Sequence, residues 1–202
     1  METASIGAHD VQRTVVREGE LVFIIVDGPN GIPAMQAAKA RVALVVMADI
    51  DGARLQAALS LGADQVVNAA KEDALARVMN LSNGEGAPVV LEAVGQPKTI
   101  EATVDYAAST GRIAIMGDGR GNVTFPPAVF LRKELDFIGS RNSWGRFSGI
   151  DPAHGNRRTA HGPPCHAQVP LCQCDRGLPL HGHAHLRDHQ DGHPVLGAET
   201  EQ

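Results

Sequence analysis

The sequence predicts a doubly wound α/β fold, in which helices cover both faces of a parallel sheet of about six strands. Short, nearly continuous apolar runs alternate with amphipathic stretches through residues 1–150. Such runs are typical of parallel strands that are buried on both faces. The composition changes near residue 150, and residues 151–202 contain no Phe, Tyr, Trp, Ile or Met. An irregular carboxy-terminal tail is therefore expected to follow the sheet domain.

Each apolar run is predicted to be one strand, beginning with LVFIIV. The six strands are predicted at 21–26, 43–48, 65–67, 88–92, 112–116 and 134–139. Helices are predicted between them at 30–41, 52–60, 72–81 and 97–108. Pro97 suits the first turn of the last helix, because proline has no N–H to leave unpaired there. These elements divide the chain into a lead-in helix remnant at 1–20, a sheet domain at 21–148 and a tail at 149–202.

Composition and charge exclude several classes of protein. The 202 residues, of which 43% are hydrophobic, can bury one core of ordinary size. A formal charge of −5 provides no basic surface for nucleic acid. No apolar run reaches the roughly 18 residues of a membrane span, and no basic-then-apolar leader begins the chain. All three cysteines follow residue 150. We therefore expect a cytoplasmic protein without a nucleic-acid or membrane partner.

A glycine-containing turn, VDGPNG, joins the first strand to the helix that follows it. Such a turn directs free backbone N–H groups and the positive end of a helix toward a phosphate. Asp49 follows Gly31 by 18 residues and ends the second strand, where a carboxylate can accept both adenosine-ribose hydroxyls and repel the 2′-phosphate of NADP. NAD is therefore the predicted cofactor, although such turns and strand-end carboxylates also occur without ligands. The predicted turn contacts are Val26, Gly28, Pro29, Asn30 and Gly31.

Several segments together resemble a known family. They are, in order, SIGAH, DGPNG, QAAKAR, ADIDGARL, LGADQVVNA, NGEGAPVVLEAVG, GRIAIMG and FPPAVFLRKELDFIGSRNS. Over about residues 4–145 they resemble the cofactor-binding Rossmann domain of zinc-type medium-chain alcohol and polyol dehydrogenases, including the sorbitol, threonine and gulonate dehydrogenases. This resemblance implies an oxidoreductase that uses NAD to oxidise a secondary alcohol.

The resemblance also implies roles for individual residues. Gly28 and Gly31 match the second and third glycines of the phosphate turn, and Asp49 matches the ribose carboxylate. Arg54 matches a basic residue near the adenosine end, with an ordinary surface position as the alternative. Beside the nicotinamide half, two loops are implied, 92–95 and 116–117, with Val94, Met116 and Gly117 as contacts.

Two positions depart from the family pattern. Val26 replaces the first glycine, and Asp27 replaces a residue that is usually small. The branched side chain of Val26 is expected to strain the tight turn, and Asp27 to place a negative charge near the pyrophosphate. We therefore expect weakened cofactor affinity.

Members of this family bind a catalytic zinc. The resemblance therefore implies a separate amino-terminal domain that supplies the zinc ligands. A catalytic zinc needs about three protein ligands, whereas residues 1–150 contain one histidine, His9, and no cysteine. We therefore expect a truncated cofactor-binding fragment with no catalytic residue, no metal ligand and little activity alone. The alternative is a non-catalytic NAD-sensing or subunit-interaction module. The resemblance further implies a homo-oligomer that pairs the sixth strands, 134–139, edge to edge.

The tail, 149–202, has three interpretations. Its five histidines at 181–193, with Cys172 and Cys174, contain metal-ligand types, but their spacing fits no closed tetrahedral site. A disordered solubilising tail is the second interpretation. The third is translation in a shifted frame: joining the last two bases of each codon to the first base of the next allows residues 166–193 to encode THRFPFANAIEAFHYMDTHTSEIIKTVI. That string resembles the family's carboxy-terminal segment and has helical apolar spacing.

Overall fold

The computed structural model describes residues 2–28 and 30–141. Helices and strands alternate along this part of the chain. In order they are α1 (Glu2–Arg13), β1 (Leu21–Ile25), α2 (Gly31–Lys39), β2 (Leu44–Asp49), α3 (Gly52–Ser60), β3 (Gln65–Asn68), α4 (Ala74–Leu81), β4 (Ala87–Glu92), α5 (Pro97–Tyr106), β5 (Ala107–Ile115), α6 (Pro127–Lys133) and β6 (Asp136–Gly139).

The described strands form one sheet of six, in the order β3-β2-β1-β4-β5-β6. Every pairing is parallel, and Val22 of β1 lies opposite Val45 of β2 on one side and Val89 of β4 on the other. The order of addition reverses between β1 and β4. In open sheets of this kind, a crevice forms at the carboxyl ends of the strands where the order reverses. The predicted fold class is confirmed.

Two apolar layers cover the sheet, one on each face. On one face, Ile24 and Met47 pack with Met35 of α2, Val11 of α1 and Ala58 of α3. On the other face, the buried side chains come from α4, α5 and the first five strands, and two partly buried ones come from α6. They include Phe23, Val46, Val78, Val104, Ile113, Val129 and Phe130. Side chains on both faces of the central strands are fully buried, which explains why those strands are continuous apolar runs.

The α5–β5 junction differs from the sequence prediction. Helix α5 ends at Tyr106 rather than 108, and β5 begins at Ala107 rather than 112. Ala107 already pairs with Ala87, but the register shifts before Val89, and Thr110 has a φ of +58°. The early part of β5 is therefore an irregular segment with a polar sequence, which does not have the apolar pattern of a strand.

Helix α6 is absent from the sequence prediction. Its last residue, Lys133, donates from Nζ to the carbonyl oxygens of Val104 and Ala107, both at 2.8 Å, and so satisfies backbone acceptors near the end of α5. Glu134 follows in the left-handed conformation with a φ of +50°, which delays β6 to Asp136. The helix is too short, and its tertiary contacts too distant in sequence, for periodicity to reveal it.

Parts of the sequence predictions lie outside the described residues. These are Pro29, residues 142–148 of the predicted sheet domain, and the tail at 149–202. Among the described residues, no helix combines the length and apolar character that crossing a bilayer requires.

Candidate cofactor-binding site

The predicted site residues lie at the carboxyl edge of the sheet. Val26 follows β1, Asp49 ends β2, Val94 follows β4, and Met116 follows β5. These four strands are consecutive in the sheet, and β1 and β4 flank the point of reversal. The fold therefore brings together residues that are separated by up to 90 positions in the sequence.

Val26 is buried beneath the turn that follows β1. Its N–H donates to the carbonyl oxygen of Ala48 at 2.9 Å, which extends the pairing with β2. A Cβ added to Gly31 would lie only 2.2 Å from Cγ1 of Val26, so the valine occupies the space above that glycine. Val26 is not among the described residues with positive φ. The strain predicted at Val26 is therefore not found at that residue, and the valine is part of the core.

The start of α2 is open at the same turn. Asn30 stands at the N-cap position but makes no side-chain capping hydrogen bond, whereas Asp51 and Asp73 cap α3 and α4 through their carboxylates. A Cβ added to Gly28 would have no atom within 4 Å. An uncapped helix start beside open space leaves N–H groups for an anion. The turn therefore fits a phosphate group.

Asp49 and Arg54 form an ion pair at the end of β2. Nε of Arg54 lies 2.9 Å from Oδ2 of Asp49, although the two atoms lack the alignment of a hydrogen bond. Oδ1 of Asp49 accepts the N–H of Asp51 at 2.9 Å. The Asp49 side chain is 0% exposed and the Arg54 side chain 33%. In this conformation the carboxylate is buried and paired with the arginine, so a ribose can reach it only after the side chains around it move, Arg54 among them.

Arg54 also contacts the turn after β1. Its Nη1 donates to the carbonyl oxygen of Asp27 at 2.7 Å and lies 3.5 Å from Oδ1 of the same residue. The predicted negative charge of Asp27 therefore has a cation beside it. Both side chains are substantially exposed, so solvent screens this pair and it offsets the charge only in part.

Asp51 also belongs to this cluster, although it was not predicted from the sequence. Its carboxylate accepts the N–H of Ala53 at 2.8 Å and lies 3.6 Å from Nε of Arg54. The signal was present, since an aspartate directly before a helix is a common cap and three positions separate it from Arg54. Arg54 therefore lies among three carboxylates.

The loops after β4 and β5 touch each other backbone to backbone. Gly95 has a φ of +81°, a conformation that favours glycine. A Cβ on Gly117 would lie 2.1 Å from the nitrogen of Gly95, so no side chain fits there. Val94 and Met116, the predicted nicotinamide contacts, are half-buried on these two loops. The structure thus brings Val94, Met116 and Gly117 together.

No group of three or more His, Cys, Asp or Glu side chains among residues 2–28 and 30–141 is placed to hold a metal ion. His9 is buried in α1. The described residues therefore do not fit a zinc ion.

Comparison with known proteins gives the family. The family described as Zinc-binding dehydrogenase matches residues 29–149. The chain belongs to the zinc-binding dehydrogenase family. The resemblance found in the sequence is confirmed, and the six-stranded sheet is the Rossmann-type domain of such a dehydrogenase.

Individual zinc-binding dehydrogenases are similar to this chain over most of the described part. An uncharacterized zinc-type alcohol dehydrogenase-like protein of Haemophilus influenzae is 38% identical over 72% of the chain. A sorbitol dehydrogenase of Bacillus subtilis is 32% identical over 69% of it. Among solved structures, the alcohol dehydrogenase TADH from Thermus sp. ATN1 superposes with a TM-score of 0.67 and 31% identity over 70% of the chain. The chain spans 43%, 40% and 41% of the lengths of these three proteins.

Proposed function

We propose that residues 21–148 are the NAD(H)-binding domain of a dehydrogenase that acts on an alcohol or polyol. The observation that carries the proposal is the arrangement at the carboxyl edge, where the open start of α2 lies next to a carboxylate that ends β2. When bound, NAD supplies the acceptor for a hydride that leaves the carbon of a secondary alcohol. The names of the similar dehydrogenases support this class of substrate.

Each part of the site would hold a different part of the cofactor. The turn at Gly28 and the first N–H groups of α2 would bind the pyrophosphate. Asp49 would accept the ribose hydroxyls after Arg54 moves off its carboxylate, and its negative charge favours NAD over NADP. Val94 and Met116 would form one wall beside the nicotinamide.

We further propose that the chain binds the cofactor without turnover by itself. The described residues hold no metal-ligand cluster, and the chain spans less than half of the dehydrogenases it matches. The alternative, an NAD-sensing or subunit-interaction module, predicts the same binding. The two hypotheses make different predictions about partners. A fragment gains activity only when it is joined to residues that bind zinc, whereas a sensor changes its own association when NADH binds.

A fluorescence titration tests the cofactor site. Asp49→Asn is expected to weaken NADH binding about tenfold, which corresponds to about 1.4 kcal/mol, because a ribose hydroxyl loses an anionic acceptor. The matched control is Asp73→Asn, which replaces the carboxylate cap of α4 by another good cap outside the charged cluster. NADH is expected to bind more tightly than NADPH. Equal NADH affinity in the wild type and in Asp49→Asn would overturn the assignment of Asp49.

We also propose that two copies pair through β6. Within the described residues β6 is the outer strand of the sheet, and Phe137 is 39% exposed on it. An unpaired strand edge with an exposed aromatic side chain is a template for pairing with another strand. Sedimentation at micromolar concentration is expected to show a dimer, and Phe137→Glu a monomer. A wild-type monomer under these conditions would remove the proposal. The cytoplasmic location expected from the sequence stays a prediction.

A further inference from the structure

Glu92 ends β4 with a fully buried carboxylate that accepts several hydrogen bonds. Its Oε1 accepts the N–H groups of Val94 at 3.1 Å and Gly95 at 2.9 Å, and Oε2 lies 3.1 Å from the second of these nitrogens. The hydroxyl of Thr99 donates to Oε1 at 2.7 Å. A buried carboxylate is tolerated only with such compensation, because removing it from water is costly. All its donors come from the loop after β4 and the start of α5.

The backbone of the same residue holds the other loop. The carbonyl oxygen of Glu92 accepts the N–H of Met116 at 2.9 Å and that of Gly117 at 3.1 Å. Glu92 is therefore bonded to both loops that are predicted to flank the nicotinamide, through its side chain on one and through its main chain on the other.

The two loops have little freedom to move independently. The space beside Gly117 is filled by the backbone of Gly95 and Val94, and a Cβ on Gly119 would clash with the carbonyl of Gly95. A change in the path of residues 93–95 must therefore also shift residues 117–119.

We propose that Glu92 is a positioning residue, which sets the place of Val94 and Met116 against the nicotinamide half of the cofactor. The proposal rests on the proposed function and deepens it. In Glu92→Gln, an NH₂ group replaces one of the two carboxylate oxygens that accept hydrogen bonds. This group can only donate, so it faces the N–H of Gly95 as a second donor. The remaining oxygen can keep the three donors of Oε1, so the loop is held less tightly rather than released, while the turn after β1 and the cluster at Asp49 keep their contacts.

A purely structural role would give a different result. If Glu92 only stabilised the fold, its removal would lower the free energy of unfolding and would affect every part of the cofactor alike. ADP-ribose separates the two cases, because it contains the adenosine, both phosphates and the second ribose but lacks the nicotinamide.

The test compares the dissociation constants of NADH and ADP-ribose, measured by calorimetry, for the full chain and two variants. Glu92→Gln is expected to weaken NADH about tenfold, equal to about 1.4 kcal/mol, and to leave ADP-ribose within about twofold. Thr99→Val removes one donor and keeps the carboxylate, so a smaller loss in NADH binding, about threefold, is expected. Amide hydrogen exchange at Val94 and Gly95 is expected to speed up in both variants.

Each outcome decides the proposal. Equal weakening of NADH and ADP-ribose, or no weakening of either, overturns it while leaving the cofactor site in place. A wild-type chain that binds neither ligand overturns the proposed function, and this inference with it. If Glu92→Gln does not fold, Thr99→Val decides: a selective loss of NADH affinity supports the positioning role, and an unselective or absent loss refutes it.

Discussion

The two sides of the crevice are built by different means. On the side proposed to bind the adenosine (the adenosine side), Asp27 and Asp49 both contact Arg54, and Asp27 and Arg54 are partly exposed. On the side proposed to bind the nicotinamide (the nicotinamide side), glycine backbones touch around one buried carboxylate, that of Glu92. Long side chains on the first side can rearrange when a ligand arrives, whereas close-packed backbone cannot. We therefore expect substitutions on the two sides to have different effects on stability and on cofactor binding.

Glycine substitutions give the largest expected difference between the two sides. Gly117→Ala is expected to lower the free energy of unfolding by about 3 kcal/mol or more. Its Cβ would lie 2.1 Å from the backbone nitrogen of Gly95, and a backbone atom cannot move aside as the end of a flexible side chain can. Gly28→Ala is the matched control on the adenosine side, where the added methyl group meets open space. Its effect is expected to stay within about 1 kcal/mol. Denaturant unfolding of both variants measures the difference, and similar losses would contradict it.

The residues proposed for the adenosine side could be chosen from the sequence because their signals are local. The turn after β1 and Asp49 are recognised by their spacing, and the family resemblance adds Arg54. The contact between Arg54 and Asp27 joins residues 27 positions apart and depends on the placement of α3, which packs against β2 and β3. No sequence pattern carries that placement. The ion pair between Arg54 and Asp49 was not predicted, for the same reason.

The nicotinamide side was predicted less completely, although its residues are close in sequence. The loops at Val94 and Met116 came from the resemblance alone. The role of Glu92 depends on the path of residues 93–95, where Gly95 adopts a positive φ, and that path is set by contact with Gly117 on another strand. The strands themselves were predicted well, since burial on both faces leaves a continuous apolar run.

A second buried carboxylate sharpens the contrast with Glu92. Asp10 of α1 is buried, and neither of its oxygens makes a well-aligned hydrogen bond among the described residues. Burial raises the pKa of Asp10 to about 6, and the nearby Ser140 hydroxyl and Arg13 guanidinium oppose that rise. The unfolded chain releases this proton near pH 3.8, its ordinary value, whereas the folded chain keeps it to about pH 6. Stability is therefore expected to fall as the pH rises between these values, and to remain lower above them.

Asp10→Asn is expected to remove that fall and to raise the free energy of unfolding at pH 7 by about 1–3 kcal/mol. Glu92→Gln is the comparison, and it is expected to lower stability because it breaks a satisfied carboxylate. Denaturant unfolding from pH 4 to pH 7.5 measures both effects. Parallel pH profiles for the wild type and Asp10→Asn would show that Asp10 is not responsible.

The smallest expected effect concerns the two residues in which the turn departs from the family. Val26→Gly combined with Asp27→Ala is expected to strengthen NADH binding several-fold, because it removes a negative charge near the proposed position of the pyrophosphate. The contact of Arg54 with the backbone of Asp27 remains, so the arginine keeps its place near the adenosine. The valine is part of the core, and its loss is expected to cost stability of about 1–3 kcal/mol, so binding must be measured well below the melting temperature.

A fluorescence titration at two salt concentrations separates the contributions of this double variant. If Asp27 acts through its charge, the gain in NADH affinity shrinks as salt screens the exposed carboxylate. Asp105→Ala, which removes an exposed carboxylate at the far end of α5, is the control and is expected to leave the affinity unchanged. An unchanged dissociation constant in the double variant would mean that the turn after β1 does not receive the phosphates. The proposal that this side binds the adenosine half of the cofactor would then lose its main support. The hydrogen bonds around Glu92 would remain, and another ligand would be needed to explain them.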